Sequence, residues 1–170
     1  MNRPTKRDHI FALVIIALGL LLDQAAKLLA VKYLRPIGTY VIFEGVFQLS
    51  YRENTGASFS ILSGRTWFLA VFTCVVIVAL GWIVFAGKVR RGTAYYSLAA
   101  IMCGGAGNLI DRVCRGYVVD MFDFCLIDFA VFNVADIFVT CGAVVFIIYY
   151  IVKKGEVFIW RSSQAKQTRD

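Results

Sequence analysis

Histidine is almost absent from this chain. His9 is the single one, and it stands beside the basic N-terminus. With five cysteines, no Cys-x-x-Cys and that lone histidine, the sequence holds no cluster with zinc-ligand spacing. A thiolate mechanism needs an activating base nearby, and only His9 offers an imidazole. Cys74, Cys103 and Cys141 fall in apolar stretches, where cysteine behaves as a small hydrophobe. Cys114 and Cys125 share one loop, and their spacing leaves pairing open. Acidic residues are also scarce, 11 against 18 basic, for a net charge of +7. The basic residues edge apolar blocks, so membrane orientation explains the excess and nucleic-acid binding is not expected. No internal repeat is present.

What is abundant is apolar sequence: 59% of the residues, against about half in a soluble domain, with a mean hydropathy of +0.71. Four blocks are long enough to cross a bilayer, which takes about 20 helical residues. They cover approximately 10–30, 66–86, 93–113 and 131–152. The expected fold is an all-α membrane protein, a four-transmembrane-helix bundle, with residues 1–170 forming one domain. The first block resembles a cleavable leader, but apolar character resumes after Asp23 and no small-residue cleavage site follows, so it reads as a retained span. Arg3, Lys6 and Arg7 precede the first block, Lys88, Arg90 and Arg91 link the second to the third, and Lys153, Lys154, Arg161, Lys166 and Arg169 follow the fourth. The positive-inside rule then places both termini in the cytoplasm. The polar tail 161–170 is expected to be disordered.

The opposite loops are more than linkers. Phe47, Leu49 and Tyr51 alternate with Gln48, Ser50 and Arg52, the period of a half-buried strand, and Thr39 to Phe43 is rich in strand formers that could pair with it. A small extracytoplasmic β-sheet is expected there, with the segment 115–130 forming an outer loop or helix at the interface.

Ionisable residues inside a span are costly and mark function by default. Asn133, Asp136 and Thr140 share a face of the fourth block, with Asp136 about five residues in, or roughly 7–8 Å deep at 1.5 Å per residue. Gly104, Asn108 and Arg112 recur every four residues in the third, where Gly104 and Gly107 would admit another helix. Asp23 and Lys27 have the spacing and order of a helix ion pair, read as structural. Asp111, Asp123 and Asp128 read as solvated or paired at the interface. If 115–130 folds back over the bundle, Asp120 meets Asp136. Two carboxylates about 3 Å apart share a proton, which is the chemistry of an aspartic protease.

Five segments carry a resemblance: Asp23-Gln24-Ala25-Ala26-Lys27, Asn54-Thr55-Gly56-Ala57-Ser58-Phe59, Gly107-Asn108-Leu109-Ile110-Asp111-Arg112, Gly116-Tyr117-Val118-Val119-Asp120 and Phe132-Asn133-Val134-Ala135-Asp136. In this order and spacing they resemble lipoprotein signal peptidase, or signal peptidase II. The chain departs from the usual pattern at Ala26, Ser58 and Ile137. The resemblance implies a catalytic pair at Asp120 and Asp136. It implies supporting roles for Asn54, Gly56, Asn108, Arg112 and Asn133, and for the pair Asp23 and Lys27. It also implies cleavage before a diacylglyceryl-modified cysteine in lipidated prolipoproteins, at the outer face of the bacterial inner membrane, by a monomer in contact with membrane lipid that uses no metal or other cofactor. The rival readings are a proton- or ion-coupled transporter, which would show repeats or broken helices near the midplane, and a non-enzymatic assembly subunit, which would need no paired carboxylates.

Overall fold

The computed structural model describes residues 3–56, 62–127, 129–153 and 156–159. The segment 57–61, with Ala57, Ser58 and Phe59 of the second motif, lies outside them, as do Asp128, Lys154 and the tail 160–170.

Helix α1 runs Lys6–Leu29 and continues as a π-helical turn, Ala30–Leu34. Strands β1 (Thr39–Phe43) and β2 (Phe47–Asn54) follow, then α2 (Thr66–Phe85), α3 (Thr93–Arg115), β3 (Val118–Phe124) and α4 (Val134–Val152). Helix α1 starts before the expected residue 10 because Thr5 and Asp8 form a reciprocal capping box, with Thr5 N donating to Asp8 Oδ2 at 2.8 Å. That box satisfies the first orphan amides outside the apolar run.

Among the described residues, three helical segments are long and apolar enough to cross a membrane: Lys6–Leu34, Thr66–Phe85 and Val134–Val152. Helix α3 is present where the third span was expected, yet it falls below that hydropathy. The reason is its place. It packs against α1, α2 and α4, and Tyr95, Ala99, Cys103 and Asp111 along it are at most 1% exposed. A helix shielded by three others needs no lipid-facing apolar surface. Glycines permit the closest approach: a Cβ on Gly104 would run into the Ala135 carbonyl oxygen of α4. On α1, α2 and α4 most of the exposed residues are large apolar ones such as Leu21, Phe72 and Ile148, as expected of faces whose solvent is lipid.

The sheet is antiparallel with order β1-β2-β3. The β1–β2 pairing follows the expectation. The third strand does not: 115–130 was expected as a loop or helix, and instead Val118–Phe124 pairs with β2, Asn54 opposite Val118 and Arg52 opposite Asp120. Gly116 makes this possible. It ends α3 at φ +80, a left-handed conformation cheap only for glycine, and turns the chain directly into β3. Ser50, on the polar side of the alternation, is nonetheless buried at 2% exposure, and it and Gln48 donate to Asp123 Oδ2 at 2.7 and 2.8 Å. At the other end, the chain after α4 returns to the α2–α3 link, where Arg90 N donates to the Val157 carbonyl at 2.9 Å. Basic residues collect at that end and the acid-rich site at the sheet end.

Candidate active site

Asp120 enters the site from β3. It is 2% exposed, its neighbour Val119 is fully buried, and both pack at the junction of sheet and bundle. Asn54, near the end of β2, donates its Nδ2 to Asp120 Oδ2 at 3.0 Å, and Asn133 donates its Nδ2 to Asp120 Oδ1 at 2.6 Å. Burial, with the Asp136 carboxylate close by, pushes the Asp120 carboxyl up to about 6 against the opposing pull of these two amides.

Asp136 enters from α4, and shallower than expected. The helix begins at Val134 rather than 131, so Asp136 lies in its first turn. Asn133 is the cap: its side chain accepts from Asp136 N at 3.0 Å, and its own backbone N donates to Asp136 Oδ2 at 3.1 Å. The preceding residues cannot join the helix because Phe132 bridges to Phe122 of β3. An anionic side chain in a first turn also meets the positive end of the helix dipole. Asn108 Nδ2 completes the shell of Asp136, donating to Oδ1 at 2.7 Å. Asn133 therefore touches both carboxylates, one through its side chain and one through its backbone.

Behind this pair lies an ionic cluster. Lys27 is fully buried and spends its ammonium on Asp23 Oδ2 at 2.9 Å, Asp111 Oδ2 at 3.1 Å and Asn108 Oδ1 at 2.9 Å. The Asp23–Lys27 pair thus forms as read. Asp111 does not follow its expectation as an interfacial acid. It is 0% exposed, and its Oδ2 also accepts from Val119 N at 3.1 Å. Its spacing held a signal: Asp111 lies one helical turn after Gly107, the bare position that receives the Asp23 carboxylate. Gly56 contributes backbone only, its N donating to Asn54 Oδ1 at 2.9 Å and its carbonyl accepting from Arg112 Nη2 at 2.8 Å. Cys114 and Cys125 are both free and exposed.

A cavity of ≈ 660 Å³ opens beside the two aspartates. Asn54, Asn108, Asp120 and Asp136 form its polar end, while Phe72 and Val76 of α2 and Val139 of α4 form apolar walls on either side of α3. The arrangement can hold a water between two carboxylates, one able to take its proton, beside an apolar slot for a long chain.

The comparisons with known proteins agree with this architecture. The family model for signal peptidase (SPase) II matches residues 15–152. A lipoprotein signal peptidase from Caldanaerobacter subterraneus is 46% identical over 147 residues, covering 86% of this chain and 99% of that protein. One from Lactococcus lactis is 37% identical, covering 85% of this chain and 96% of its own. A solved bacterial membrane enzyme superposes with a TM-score of 0.81 at 26% identity, over 91% of this chain and 94% of that one. The chain, a membrane protein with a buried cluster of acidic residues at the sheet end of a helical bundle, belongs to the signal peptidase II family of proteases.

Proposed function

We propose that this protein is an aspartic endopeptidase that removes the signal peptide from diacylglyceryl-modified prolipoproteins, cutting just before the lipidated cysteine, with Asp120 and Asp136 as its catalytic pair. The observation that carries this reading is the hydrogen-bonded loop in which Asn133 joins the two carboxylates, Asn54 and Asn108 each holding one from outside. The pair carries one shared proton. The ionised partner accepts a proton from water as the water oxygen attacks the scissile carbonyl. The protonated partner donates to the carbonyl oxygen and stabilises the tetrahedral state. Collapse of that state breaks the C–N bond as the leaving cysteine amine takes up a proton from the pair. The amides of Asn54, Asn108 and Asn133 hold both carboxylates in place without adding charge.

The cavity supports the lipid part of the reading. Helices α2 and α4 both pack on α3 and barely meet one another, so the slot between them faces sideways. In the proposed topology α3 is a fourth, shielded span, the basic end is cytoplasmic, and the sheet and site lie at the outer face. A signal-peptide helix can then slide in from the bilayer without leaving lipid. Its acyl chains stay in an apolar environment throughout, so the lipid contributes mainly by fixing the depth of the scissile bond beside the carboxylates. The chain acts as a monomer in this scheme, since the site draws on one chain alone. A direct test compares cleavage of lipidated and unlipidated precursors in the same membranes. The unlipidated precursor is expected to be cut very poorly; equal rates would mean that the peptide alone is read.

A further inference from the structure

The ionic cluster behind the aspartates does more than neutralise itself. Asp23 Oδ1 accepts from Ala135 N at 2.9 Å, and Ala135 immediately precedes Asp136. Asp111 Oδ2 accepts from Val119 N at 3.1 Å, and Val119 immediately precedes Asp120. Lys27 joins the two acids at 2.9 and 3.1 Å, with all three groups at most 1% exposed. One buried triad thus grips the backbone one residue before each aspartate of the pair, from strand on one side and helix on the other.

The same ammonium fixes a third element. Asn108 Oδ1 accepts from Lys27 Nζ at 2.9 Å and from Asn133 Nδ2 at 3.1 Å. With two donors on its oxygen, the Asn108 amide can present only its Nδ2 to Asp136. Asp111 therefore holds Val119 directly and, through Lys27, steadies the amide that holds Asp136. Its other oxygen, Oδ1, is buried without a hydrogen bond among the described residues and faces Arg115 Nε across 3.6 Å, an electrostatic contact only.

We propose that Asp111 is a positioning residue, the member of a buried Asp23–Lys27–Asp111 triad that sets the position of the β3 strand, and so of Asp120, relative to Asp136 on α4. This rests on the reading of Asp120 and Asp136 as the catalytic pair. Asp111 touches neither carboxylate, so its effect is on their separation. A displacement of about 1 Å at a reacting centre costs about 100-fold in rate. An asparagine keeps the shape and can still accept from Val119 N, but it loses the charge that holds Lys27.

The test uses the full chain in detergent or membranes. Asp111→Asn is expected to cut a lipidated precursor about 100-fold more slowly in kcat, with KM within about threefold because the cavity is untouched. Its binding of a statine-containing peptide, whose hydroxyl sits between two carboxylates, should weaken by a similar factor. Binding of an uncleavable substrate peptide should stay near wild type. A merely structural role would lower the amount of folded protein and leave kcat and statine binding per folded molecule unchanged; that result overturns the proposal. Should Asp111→Asn fail to fold, Val119→Pro removes the amide donor that Asp111 accepts, together with a buried valine side chain, so kcat is read per folded molecule, and an unchanged kcat there also overturns it. Asp120→Asn and Asp136→Asn serve as controls. Activity in either would sink the catalytic pair itself, whereas inactive controls beside a wild-type Asp111→Asn would sink only the triad.

Discussion

Replacing Asn133 by serine separates two jobs that one side chain performs. As the cap of α4 it accepts from Asp136 N, and as a donor it reaches Asp120 Oδ1 at 2.6 Å. Serine caps about as well as asparagine, whereas alanine loses about 1 kcal/mol of capping. Neither carries an amide able to reach across to Asp120. A hydrogen bond to a charged group is worth about 1.5–3 kcal/mol, and at 1.36 kcal/mol per tenfold that is roughly 10–150-fold if the bond orients Asp120 in the transition state. Cleavage of a lipidated precursor should therefore fall by that factor in both Asn133→Ser and Asn133→Ala. Thermal unfolding should tell the two apart, with alanine melting several degrees lower than serine. If Asn133→Ser cuts within a factor of about three of wild type, the amide does not organise the pair. If serine and alanine melt together, the cap is not what starts α4 at Val134.

Asp120 also carries a pH signature. Its folded value of about 6 stands above the ordinary 3.8, so the folded state holds the proton longer than the unfolded one, and stability falls as pH rises between those values. Asp120→Asn should thus melt higher than wild type at pH 8, with the gap closing near pH 4; a gap independent of pH would contradict the burial argument. Gly104→Val should destabilise the bundle by about 1–3 kcal/mol, since even a Cβ there meets the Ala135 carbonyl, and unchanged melting would show that α3 and α4 have room to part. Replacing all five cysteines with alanine or serine should leave activity per folded molecule intact; loss traced to one folded single variant would point to thiol chemistry instead.

Part of the candidate site was legible in residue types and spacing and the rest only through the family resemblance, and what stayed hidden has physical reasons. Asp136 stood out because a carboxylate beside Phe132, Val134, Ile137 and Phe138 has no simple reason to be there. Asp23 and Lys27 showed their pairing by helical spacing. Asp120 depended on how 115–130 folds, and the strand there was hidden because Val118–Phe124 is buried on both faces at its start and does not alternate cleanly. The start of α4 was set three residues early because Val131 and Phe132 are as apolar as the helix itself, and only the Asn133–Asp136 capping box marks the boundary. Asp111 was misplaced because a buried acid and a surface acid look alike until their partner is known, and that partner, Lys27, lies in another helix. Helix α3 shows the converse. Its polar residues lowered its hydropathy because it is the element the other three enclose.

The claim at the centre is that Asp120 and Asp136 together activate water at the scissile bond. The most direct measurement is single-turnover cleavage of a lipidated precursor by purified, folded Asp120→Asn and Asp136→Asn variants. An asparagine can neither take a proton from water nor share one with its neighbour, so both variants are expected to bind the precursor and leave it uncut. Cleavage by either one near the wild-type rate would contradict the account.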